Sequence, residues 1–147
     1  MPFVPFHELL PDVAERETRD VMVLPGSNVG LPPGHYGFLE MYCDEEGCDC
    51  RRVFLTVVSS ARGKVEAVIA WGWEKPAFYA KWMHDDDPQT VASLVGPILN
   101  FGSPATKLAP ALLLLFENVL LKDQKYVERI KRHYRMFRDK IEEGATH

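Results

Sequence analysis

Between Tyr36 and Trp73 apolar residues recur with the short period of β-strands. Tyr36–Cys43, Arg52–Ser59 and Lys64–Trp73 are each rich in β-branched, aromatic or bulky residues. They are separated by turn-forming stretches, Asp44-Glu45-Glu46-Gly47 and Ala61-Arg62-Gly63, and predict an antiparallel meander. In the first run Gly37, Leu39, Met41 and Cys43 share one face, and Tyr36, Phe38, Glu40 and Tyr42 the other. Neither face is purely polar. The sheet is therefore expected to be covered on both sides, or on one side with aromatic edges.

After residue 100 the period changes. Lys107–Leu121 is apolar nearly all round and reads as a buried helix, with Ser103 as its N-cap and Pro104 in its first turn. From Gln124, Tyr126, Val127, Ile130, Tyr134, Phe137 and Ile141 recur at spacings of three and four, the mark of an amphipathic helix. Asp123 is placed to cap it, and Gly144 to end it. Smaller elements are expected as a helical turn over 6–17, a short strand at Val21–Leu24 and a helical turn at Val91–Val95, entered at Asp86 or Asp87. Ala77–Met83 fits a helix or a strand equally. The pattern predicts one α+β domain over 1–147: a β-meander of about three to five strands with a C-terminal helical pair packed on it.

Composition adds little to this outline. A chain of 147 residues with 46% apolar and 26% charged residues is long enough for a real core and excludes a disordered class. The longest apolar run, Leu108–Phe116, falls far short of a membrane span, and the first residues lack a secretory pattern. A cytoplasmic protein without membrane contact is expected.

The candidate chemistry lies in Cys43-x4-Cys48-x-Cys50, which holds all three cysteines. A disulfide framework would spread an even number along the chain. Three thiols brought together by a strand, a Gly47 turn and the return strand suit a zinc ion, which takes thiolates in a tetrahedral shell. Arg51 and Arg52 stand ready to offset thiolate charge. The alternatives are free thiols in a turn, or a Cys48–Cys50 redox pair. Three thiolates leave a fourth position, and there are five histidines to fill it. His7 and His147 lie near the termini. His35 sits about 26 Å away along a straight strand. His84 follows the third strand in an acidic loop. His133 falls on or beside the apolar stripe of the last helix and is the preferred fourth ligand; the alternative is a buried histidine satisfied by hydrogen bonds.

Tyr42-Cys43, Cys48-Asp49-Cys50-Arg51-Arg52, Gly72-Trp73-Glu74 and Tyr126 with His133-Tyr134 together resemble a family of uncharacterised bacterial proteins. Those are similar to proteins that also carry a separate cysteine-rich SEC-C metal-binding tail; the present sequence has no further cysteine up to His147. The resemblance spans residues 36–140. It implies metal binding by the cysteine cluster, adds weight to His133 and implies no activity.

Three functions follow as expectations. The first is a zinc-stabilised binding module held by Cys43, Cys48, Cys50 and His133, with a protein partner or a second copy as its counterpart. The second is an enzyme with three cysteines and a zinc-bound water, His84 or Asp49 accepting the proton. The third is nucleic-acid binding through the last helix, since Lys122–Lys140 holds eight Lys or Arg against three acids. A solvated basic face is the commoner explanation of such a run. Asp85-Asp86-Asp87 lacks the spacing of a calcium loop. Trp71 and Trp73 share a strand face and are expected to pack in the core or at its edge.

Overall fold

The computed structural model describes residues 3–145. His147 lies outside them. Among the described residues, six strands form one antiparallel sheet: β1 (Phe3–Pro5), β2 (Arg19–Val23), β3 (Gly34–Cys43), β4 (Arg52–Ser59), β5 (Lys64–Gly72) and β6 (Ile98–Leu99). β3, β4 and β5 are the predicted meander. β1 and β2 lie end to end on the free edge of β3, with Phe3 opposite Cys43 and Val23 opposite Gly34. β6 closes the other edge against β5. The class is α+β, as expected from the pattern.

The helices are α1 (Phe6–Leu9), α2 (Pro11–Glu17), α3 (Pro76–Met83), α4 (Pro88–Val95), α5 (Ala109–Asn118) and α6 (Gln124–Ala145), with one 3-10 turn at Leu120–Lys122. α3 resolves the ambiguity at 77–83, and Pro76 in its first turn suits a helix start. Asp87 caps α4 by accepting from the Thr90 N–H, one of the two starts expected. Asp123 accepts from the Lys125 N–H at the start of α6. The start of α5 differs from expectation. Ser103 accepts from the Asn100 side chain instead, and the helix begins at Ala109 with Pro110 in its first turn. The intervening residues are held by the sheet, because Thr106 donates its N–H to the Glu66 carbonyl. Gly144 lies within α6 as described.

Tyr36, Phe38 and Tyr42 of β3, Val53, Leu55 and Val57 of β4, and Ala67, Ile69 and Trp71 of β5 are buried in one core with Leu112, Phe116, Tyr126, Ile130 and Phe137 from α5 and α6. In β3 this is the face of Tyr36, Phe38, Glu40 and Tyr42, one of the two that the alternation separated. Trp71 packs on Phe116, and Trp73 on Tyr134, which is the core and edge packing expected of the tryptophans. α3 and α4 fold over the far end of β5, where a Cβ at Gly72 would overlap the Tyr79 hydroxyl.

One polar group is stitched into the hairpin end. Glu66, fully buried, accepts from Ser59, from the Arg62 guanidinium and from the Thr106 hydroxyl. These bonds, the Arg62 pair foremost, hold its carboxyl down to about 2 from 4.5. A lowered folded-state value means that its contribution is full above 4.5 and fades as the pH falls towards 2. Glu66→Gln is expected to cost about 1–3 kcal/mol at neutral pH. It should also flatten the loss of stability across that acid window, read as urea midpoints at a series of pH values.

Candidate metal centre

Cys43 ends β3, Cys50 stands two residues before Arg52 opens β4, and Cys48 lies in the turn between them. Two backbone features make so short an excursion possible. Gly47 takes φ +72°, a conformation that costs glycine little, and the Cys48 N–H returns to the Glu45 carbonyl. Arg51 takes φ +49° without being glycine. It is held there by its neighbours: its N–H donates to the Tyr134 hydroxyl, and its carbonyl accepts from Tyr79. Such strained residues persist only where the surroundings over-determine them.

The outcome is a cluster of three sulfurs, all within 4.8 Å of one another, that can hold a metal ion. Cys43 and Cys50 are fully buried, while Cys48 is half-buried, and none is in a disulfide. Burial pushes the Cys43 thiol up and takes that of Cys50 to about 12. Without an ion these two are protonated at neutral pH.

Two cations flank the sulfurs. Arg52 is buried, donates to the Leu94 carbonyl, lies over the Phe54 ring and has no carboxylate partner among the described residues. Cys50 is a source of favourable field on it. Arg138 of α6 is also buried and donates to the carbonyls of Cys43 and Glu45 at 2.6 and 2.8 Å, and to Glu142. Of the two arginines expected to offset thiolate charge, Arg52 is the one on which Cys50 acts. Arg51 turns instead to Asp49 and Glu74, and stacks on Phe78. Arg138 was not foreseen. Its signal in the sequence is its spacing from Tyr134 and Glu142, four residues either way, which puts all three on one helix face.

His133 is the correction. It is fully buried on α6, as its stripe predicts, but its two ring nitrogens are both taken. Nδ1 lies 2.7 Å from Glu40, and Nε2 2.7 Å from Glu17. The ring stacks on Phe6, and Glu40 accepts also from Tyr42. The histidine locks α2 and β3 to α6, and the sulfurs are gathered without it. His84 is exposed at the C-terminus of α3, and His35 pairs with Asp20 on the surface. Among the described residues no His, Asp or Glu joins the three cysteines within the same distance.

The basic run of α6 is largely engaged within the chain. Arg129 donates to the Glu17 carbonyl, Arg132 to the Glu17 carboxylate, Arg138 to the cysteine turn, and Lys131 lies beside Glu128. Two of these four partners are carboxylates and two are backbone carbonyls. Among the described residues no helix is long and apolar enough to cross a membrane. Comparison of the chain with protein-family models, with curated proteins and with solved structures found no match.

His133→Ala strips one of two partners from Glu40 and leaves it only Tyr42, its other oxygen being already buried without a hydrogen bond. It is expected to cost about 3–5 kcal/mol. Metal affinity of the protein that remains folded should be unchanged. A loss of metal in proportion to the loss of His133, at temperatures where the variant is folded, would return the histidine to the site.

Proposed function

We propose that the chain is a metal-stabilised binding module, with Cys43, Cys48 and Cys50 holding a zinc ion. The observation that carries this reading is the meeting of three thiols within 4.8 Å. Buried Arg52 lends support, since a guanidinium without a carboxylate finds its countercharge in thiolates. Zinc suits an all-sulfur donor set and a reducing compartment such as the cytoplasm. Bound there, it would contribute folding free energy at the corner where β3 turns back into β4. Among the described residues three donors meet, and three protein donors are what an open zinc centre has. That feature also keeps an enzymatic role in play.

The purified protein is expected to take up one zinc per chain, and Cys43→Ser or Cys50→Ser to abolish stoichiometric uptake. A folded protein that neither contains zinc nor binds it when supplied would overturn the reading. Thiols must shed protons to bind, and burial holds those of Cys43 and Cys50 high. Zinc affinity should therefore rise with pH between about 6 and 8, with protons released on binding; calorimetry in buffers of different ionisation heat measures the release. Arg52→Met is expected to weaken affinity about tenfold, seen in competition with a chromogenic chelator.

A further inference from the structure

The three sulfurs lie within 4.8 Å of one another, yet they are not equivalent. Cys43 and Cys50 are fully buried. Cys48 is half-buried in a turn whose residues Glu45, Glu46 and Gly47 are exposed. It lines a surface depression of about 460 Å³ with Asp49 and, from α6, Tyr134, Arg135 and Arg138. All three cysteines are free thiols. One thiol within reach of a small reagent, beside two sealed thiols, is the arrangement of an attacking cysteine and its resolving neighbour.

We propose that Cys48 is a site of oxidation by hydrogen peroxide, and that it passes the oxidation to a buried neighbour as a disulfide. Cys48 gives up its proton, and its sulfur attacks one peroxide oxygen. An S–O bond forms, the O–O bond breaks, and the hydroxide that leaves takes up a proton to become water. The sulfenic acid so formed is then attacked by the sulfur of Cys43 or Cys50. An S–S bond forms, the S–O bond breaks, and the departing hydroxide leaves as a second water with the proton of that thiol. Two thiols are oxidised and one peroxide is reduced. Proximity favours this second step over further oxidation of Cys48. Both buried sulfurs lie within 4.8 Å of it, so a shift of at most roughly 3 Å closes the bond, and an exposed turn can supply that shift. Hydrogen peroxide is small and uncharged, so the mixed charges along the depression do not select against it. The disulfide uses two of the three sulfurs. On the metal reading above, oxidation therefore empties the site and reduction restores it; the oxidation itself does not rest on that reading.

The test uses the full chain, first stripped of metal with a chelator and then exposed to a small molar excess of hydrogen peroxide. Of the three thiols, one should remain titratable after denaturation. The intact mass should fall by the two hydrogens lost, peptide mapping should find Cys48 in the bridge, and dithiothreitol should restore all three thiols. Cys48→Ser, with its fold checked by circular dichroism, should lose thiol at least about tenfold more slowly, because its remaining thiols are sealed. A bridge between Cys43 and Cys50 with Cys48 left free overturns the proposal. So does a gain of oxygen in place of the loss of hydrogen, a bridge between two chains, or a folded Cys48→Ser variant that reacts as fast as the parent. A second arm repeats the exposure on zinc-loaded protein and follows released zinc with a chromogenic chelator; release should accompany the loss of thiol. A chain that takes up no zinc but oxidises at Cys48 removes the metal reading and leaves this site standing. A chain that binds zinc but forms no Cys48 disulfide does the reverse.

Discussion

The guanidinium of Arg138 decides the shape of the cysteine corner. A chain that leaves one strand and enters the next within nine residues exposes carbonyls with no ladder partner. Arg138 reaches two of these, on Cys43 and Glu45, from a helix about 95 residues later in the chain. Tyr134, one turn earlier on α6, holds Arg51 and Asp49, and Glu142, one turn later, accepts from the Gly47 N–H. A column of three side chains spaced by four residues thus grips the turn from Cys43 to Arg51. The clasp between sheet and helix that a metal-bound histidine was expected to make is made by hydrogen bonds.

α6 therefore carries two stripes with separate tasks. Tyr126, Ile130, His133 and Phe137 enter the core against the sheet. Tyr134, Arg138 and Glu142 serve the turn. The His133 network belongs to the first stripe. A buried carboxylate on β3 is tolerable only with donors at hand, and Tyr42 and His133 supply them to Glu40. The same imidazole reaches Glu17, which Arg132 also binds. One residue thereby joins the N-terminal helices, the sheet and α6. Replacing such a group by removal of one partner is costly, even though buried ionic groups are weak evidence of net stabilisation.

Much of the fold was legible because it rests on local periodicity. The alternation over 36–43 put Tyr36, Phe38 and Tyr42 on one face without reference to any other element, and the structure shows that face to be the buried one. The spacing in 126–137 likewise placed His133 inside. Errors arose where a distant partner competed with a local signal. Ser103-Pro104 has the chemistry of a helix start, but the Glu66 carbonyl and carboxylate draw Thr106 to the sheet, and the helix waits until Ala109. β1 and β6, of three and two residues, are too short for a pattern and exist because β3 and β5 offer them edges.

The cysteine cluster shows the same division. Spacing alone determined that Cys43, Cys48 and Cys50 could meet, since a nine-residue corner with Gly47 leaves their side chains little room to separate. It also placed His133 on or beside the apolar stripe, because helical period sets which side a residue faces. Which partner a buried residue finds is a question of what lies opposite. Only the tertiary structure decided that Glu40 and Glu17 take His133, and that Arg138 takes the turn. Those partners lie some 90 to 116 residues away in the chain, where periodicity carries no information and packing alone selects the neighbour.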